Sequence, residues 1–201
     1  MTDRILNQIA EMKKQTIGVE VEMNSIRRDK AAKLAAEYFG TERFADTARR
    51  NGYCTWSAWD AQGREWKFQK DVSIAGTDSE KCEMVTPILT YNDIELLQEL
   101  VRRLRRAGAK SDASRGCGVH IHIGAKGHTP QSLSNLANIM ASHEELLTDA
   151  LGLDRYGERY GHFCKPVNKE FLRLVNLLLN ARRVALRSLG QFPDPWVVCY
   201  K

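Results

Sequence analysis

The chain has 201 residues, of which 43% are hydrophobic and 27% charged, with a formal net charge of +5. This balance suits one globular domain (1–201) with a core of its own, and it excludes a disordered chain or a disulfide-stapled miniprotein. The five cysteines are scattered without a C-x-x-C pair, and no apolar run has signal-peptide or membrane-span character. The reducing cytoplasm is therefore the expected compartment, with no membrane partner.

In chain order, "MTDRILNQIAEMKKQ" reads as a short amphipathic or frayed segment, and "TIGVEVEM" (16–23) as a strictly alternating, β-branched strand. "DKAAKLAAEYFG" (29–40) is an alanine-rich helix with Gly40 as its stop. Residues 53–70 predict a hairpin turning at Asp60 to Gly63. Its Trp56, Trp59 and Trp66 are either core or a stacking surface. A loop, "KDVSIAGTDS", leads into the strand "EKCEMVTPIL", which Pro87 closes or places at an edge.

Residues 92–107 carry an apolar stripe of Ile94, Leu97, Leu100, Val101 and Leu104, with acids at the front and arginines at the back, a helix ended by Gly108. After the strand "GVHIHIG" comes one long helix over 129–152, with Thr129 as N-cap and Pro130 at its first position, and another over about 168–190. The positive charge collects in "RRLRR" (102–106) and "NARRVALR" (180–187), which read as solvated helix faces. No nucleic-acid-binding module accompanies it, so nucleic acid is not an expected partner. Antiparallel strands with long helices placed late predict an α+β fold.

Three of the strands carry chemistry. Side chains alternate along a strand, so Glu20 and Glu22 share one face while Val19, Val21 and Met23 share the other. Two like charges side by side repel unless something positive lies between them, and a hard divalent cation is the economical solution. Glu83 sits among apolar neighbours in the next strand, and His120 and His122 share a face of the third. If the three strands are neighbours, Glu20, Glu22, Glu83 and His120 converge on one surface, a donor set that suits magnesium or manganese better than zinc. The bland alternatives are wet sheet faces carrying solvated acids and histidines.

The ordered set "GVEVE", "KDVSIAGTDSEKCEMVTP" and "GVHIHIG" resembles the amidoligase family, carboxylate–amine ligases similar to glutamate–cysteine ligase and, more remotely, glutamine synthetase. The resemblance covers about residues 16–170. It implies a curved, mostly antiparallel sheet of that type with ligands on its concave face and helices behind. It further implies ATP- and magnesium-dependent amide or isopeptide formation through an acyl phosphate, from a small-molecule or peptide substrate offering a carboxylate and an amine. Residue by residue, it implies that Glu20, Glu22, Glu83 and His120 hold Mg2+ (or Mn2+). His122 reaches a nucleotide phosphate, and Asp71 and Ser73 lie at the mouth of the site. Arg155, Arg159 and Lys165, in "RYGERYGHFCKPV", contact phosphate or carboxylate. In the catalytic roles the resemblance puts Glu83, His122 and Arg159.

The family's later E-x-R strand and the R-Y-x-x-L-N stretch before it are not found. The tail after Glu170 does not follow the family pattern, so the catalytic domain is expected to be incomplete at its C-terminal part. Other readings are a non-catalytic nucleotide- or metal-binding relative, a metal-dependent hydrolase built on His120 and His122, and a thiol enzyme pairing Cys117 with His120.

Overall fold

The computed structural model describes residues 2–48, 52–152, 168–180 and 197–200. The chain divides into two compact units, residues 1–124 with 197–201, and residues 125–196.

The first unit is an α+β assembly on a seven-stranded antiparallel sheet. Helix α1 (Asp3–Lys13) precedes β1 (Ile17–Met23), and α2 (Arg28–Phe39) follows it. The short β2 (Phe44–Asp46) leads to the hairpin β3 (Trp56–Trp59) and β4 (Glu65–Gln69), then to β5 (Cys82–Val85), α3 (Ile94–Arg106) and β6 (Val119–Ile123). A last strand, β7 (Val197–Tyr200), pairs with β6. The spatial order is β2-β3-β4-β5-β1-β6-β7, which puts β1 between β5 and β6.

One face of the sheet is the core. Val19, Val21, Met23, Ala58, Trp66, Phe68, Cys82 and Met84 meet Ala31, Ala32, Ala35 and Ala36 of α2 and Leu97, Leu100 and Leu104 of α3. The four alanines, all fully buried, form a stripe of small side chains that lets α2 lie close to the strands. The helix ends where Gly40 turns left-handed (φ 69°), its N–H closing on the Ala36 and Glu37 carbonyls. Both helices are thus on one side, and the alternate residues of the strands face the other.

Several sequence expectations change. The segment at the start is a regular helix, with no buried residue among those described. The strand at 80–89 keeps only four residues, because Pro87 has no N–H to donate, though the Thr86 N–H still donates to the Val19 carbonyl and its hydroxyl accepts the Val19 N–H. The sequence reading missed β2, which is three residues long and exposed throughout, and β7.

In the second unit, the single helix expected over 129–152 is broken. It runs as α4 (Pro130–Ser142) and α5 (Glu144–Leu151), separated by His143 in a non-helical conformation (φ −117°, ψ 15°). The Ser142 hydroxyl bonds the Ile139 carbonyl, which competes with the helical ladder, and Glu144 and Glu145 suit a fresh N-terminus. The N-cap at Thr129 is as expected, with a reciprocal box to Ser132. Helix α6 (Lys169–Asn180) packs on α4 around Ser134, Asn138 and Asn176, whose side chains bond one another. No helix among the described residues is long and apolar enough to cross a membrane.

Candidate active site

The face of the sheet away from α2 and α3 gathers the carboxylates. Register sets Glu20 beside His120 on one side and Val85 on the other, Glu22 beside Glu83, and Glu83 beside Gln69. Because β1 lies between β5 and β6, the acids of "GVEVE" sit between the acid of "CEMV" and the histidines of "VHIHI". The three alternating strands therefore deliver their polar residues to one place.

The contacts are short. His120 Nδ1 lies 2.9 Å from Glu20 Oε2, and His122 Nε2 lies 3.2 Å from Glu20 Oε1. His120 Nε2 stands 3.7 Å from Glu22 Oε1, and the Gly118 N–H donates to Glu22 Oε2 at 2.8 Å. Gln69 Nε2 donates to Glu83 Oε2 at 2.8 Å. Glu22 is 1% exposed and Glu83 6%. Burial pushes the Glu83 carboxyl up to about 7. The Gln69 bond opposes that rise, and the negative neighbours Glu20, Asp71 and Glu22 add to it.

Two groups of three residues each bring a ligand atom within 4.8 Å of the others: Glu20, Glu83 and His120, and Glu22, Asp71 and Glu83. Glu83 belongs to both. Asp71 reaches the second group from the loop before β5, where its Oδ1 accepts the Ser73 N–H at 2.6 Å. Ser73 itself is exposed.

The donor chemistry fits a hard divalent cation. Carboxylates outnumber imidazoles in both groups, and no thiolate enters either. His120 Nε2 and His122 Nε2 are buried, and neither makes a hydrogen bond among the described residues. Among those residues, too, Glu83 and Asp71 have no lysine or arginine within 4.0 Å. The buried imidazole nitrogens and the buried Glu83 carboxylate cost stability unless something binds them.

Residues 13–199 match the family described as "Putative amidoligase enzyme". The chain belongs to this family. The match extends beyond residues 16–170, which carry the resemblance, and takes in most of the tail after Glu170. No curated protein and no solved structure gives a significant match.

Of the residues that family resemblance singled out, Glu20, Glu22, Glu83, His120 and Asp71 come together, with His122 at the Glu20 edge and Ser73 beside Asp71. Arg155, Arg159 and Lys165 lie outside the described residues, as do Arg182, Arg183 and Arg187. Neither three-residue group contains both histidines, which does not favour a zinc hydrolase centred on the H-x-H pair. Burial raises the Cys117 thiol, so it stays protonated, and this does not favour a thiol enzyme. Trp66 is fully buried and Trp56 packs against the core, whereas Trp59 faces the other side under the Arg43 guanidinium, 5.5 Å from its ring centre.

Sequence reasoning missed Gln69. A glutamine at the end of an aromatic strand carries no signal by itself, and only its register opposite Glu83 reveals its role.

Proposed function

We propose that this amidoligase-family chain is an ATP- and magnesium-dependent carboxylate–amine ligase. The observation that carries the reading is the pair of three-residue groups sharing the buried Glu83, with Glu20, Glu22 and His120 on its sheet face and Asp71 on the adjoining loop. Two cations, held by Glu20, Glu83 and His120 and by Glu22, Asp71 and Glu83, would neutralise nucleotide phosphates and favour phosphoryl transfer.

In this reading a carboxylate oxygen of the substrate attacks the γ-phosphorus, and the bond to the β,γ-bridging oxygen breaks, leaving ADP and an acyl phosphate. An amine nitrogen then attacks the acyl carbon, loses a proton and expels phosphate. The chain's own residues bind and orient. Gln69 holds one oxygen of Glu83, Gly118 holds one oxygen of Glu22, and His120 keeps Glu20 turned toward β6. His122, at the edge of the face, is the contact for a phosphate, and Arg155, Arg159 and Lys165 are proposed further contacts from the family pattern.

The test is phosphate release from ATP in the presence of magnesium and pools of amino acids and polyamines, with carboxylates labelled by 18O. One labelled oxygen in the released phosphate, lost in Glu83→Gln and weakened in His122→Ala, is the expected result. Release that is unchanged in Glu83→Gln, or phosphate carrying no label, would overturn the reading.

A further inference from the structure

Of the two groups, the one containing Glu22 and Glu83 needs a third member that does not come from a strand. Asp71 stands on the loop between β4 and β5, and loops hold a ligand in place only if something fixes them. Here the fixing is unusually complete. Ile74 is fully buried and plugs the loop into the fold. The Ala75 N–H donates to the Arg115 carbonyl at 2.7 Å. At Gly116 (φ +78°) any Cβ would lie 2.7 Å from the Ser73 carbonyl oxygen, so only glycine admits this approach. The Lys70–Asp78 ion pair closes the base of the loop.

The remaining anchor is Arg28. It stands at the first position of α2, six residues after Glu22, and is half-buried. Its Nε donates to the Cys54 carbonyl at 3.0 Å, and its Nη1 donates to the Asp78 and Lys81 carbonyls at 2.6 and 2.7 Å. No carboxylate lies within 4.0 Å of it among the described residues. A half-buried guanidinium spent wholly on main-chain carbonyls fixes backbone rather than neutralising charge. The three carbonyls belong to the chain entering β3, to the loop of Asp71 and to the residue just before β5, which carries Glu83. One side chain thus ties the end of the Glu22 strand to the two segments that bring Asp71 and Glu83.

We propose that Arg28 is the positioning residue for the Asp71 side of the cation centre, acting by holding the 71–81 loop so that Asp71 stands beside Glu22 and Glu83. The proposal rests on the two-cation reading above, and manganese binding separates the two.

Calorimetric titration of Mn2+ into the full chain should resolve two equivalents. Arg28→Gln and Asp71→Asn should each weaken the second by about tenfold, the low end of what outer-shell changes cost, and leave the first unchanged. The double variant should be no weaker than either single one, because both act through the same carboxylate. Arg28→Lys keeps a donor for the Asp78 and Lys81 carbonyls and should bind the second ion more tightly than Arg28→Gln; it also serves if the glutamine variant fails to fold. Effects that multiply in the double variant, an unchanged second equivalent in Arg28→Gln, or equal losses in the lysine and glutamine variants would overturn the assignment. A single equivalent untouched by Asp71→Asn would overturn it while leaving a one-ion centre standing. No manganese binding in the wild type would overturn the cation reading itself, and this inference with it.

Discussion

Two acidic clusters flank the sheet, and they are built on opposite terms. In the first, Asp60 and Asp93 share Arg64, at 2.8 and 2.9 Å. Asp60 also accepts the Trp66 indole N–H and the N–H groups of Gln62 and Arg64, and Asp93 accepts the Thr90 N–H and hydroxyl. Every carboxylate oxygen has a protein donor. Arg64 foremost holds Asp93 down at about 2. At Asp60, burial opposes ionisation, but the bonds from Trp66 and Arg64 outweigh it and keep the carboxyl below its usual value.

In the second cluster, Glu20, Glu22, Asp71 and Glu83 meet two histidines, an amide and two backbone N–H groups, and Glu83 rises to about 7. The contrast separates a cluster that completes the fold from one that we propose to hold cations. Burying acids is routine when the chain itself brings the donors. Burying Glu83 with no lysine or arginine within 4.0 Å among the described residues is costly, and this supports the cation proposal.

Breaking the first cluster should give the largest loss of stability. Asp60→Ala leaves Arg64 and the Trp66 N–H short of their acceptor, and should cost about 3–5 kcal/mol in chemical denaturation. Manganese affinity, measured below the unfolding transition, should not move. A matching loss of manganese affinity would mean that the two clusters are one system.

Manganese itself comes next. At a free concentration of about 100 times Kd it should stabilise the wild type by about 2.7 kcal/mol, and Glu83→Gln, which removes the shared ligand, should abolish the shift. A shift of equal size in both proteins would place the ion elsewhere.

An effect of comparable size is in pH, where the two clusters should show opposite signs. Asp93 has a depressed pKa, so its contribution is present above about 3.8 and is lost as pH falls through about 2. Glu83 has a raised pKa. Its protonated form is the favoured one in the fold, so metal-free stability should fall as pH rises from about 4.5 through about 7 and level off beyond. At about 1.36 kcal/mol per pKa unit, the effects are about 2 kcal/mol for Asp93 and about 3 kcal/mol for Glu83. Denaturation curves of metal-free wild type and Glu83→Gln between pH 4 and 8 check the second: the variant should lack the decline. A decline of the same size in both would assign it to another group.

Much of this was legible in the sequence, for a physical reason. Alternation in "GVEVEM", "CEMV" and "VHIHI" assigns faces without any knowledge of the fold, and the structure keeps those faces, with Val19, Val21 and Met84 in the core and Glu20, Glu22 and Glu83 opposite. Register is a different matter. That Glu22 stands opposite Glu83, and that Gln69 is there to bond it, depends on cross-strand pairing between segments far apart in sequence. Asp71 was flagged through the family pattern as lying at the mouth of the site, but its membership of the second group depends on loop anchors such as Arg28, whose partners are main-chain carbonyls without sequence identity. The break at His143 was hidden because apolar periodicity continues across it.

The most direct test of the cation centre is anomalous scattering from crystals grown with manganese. The account predicts two peaks on the sheet face away from α2 and α3, both within about 2.2 Å of Glu83 oxygens. One peak should be shared with Glu20 and His120, and the other with Glu22 and Asp71. Manganese bound elsewhere on the molecule, with this face left to water, would contradict it.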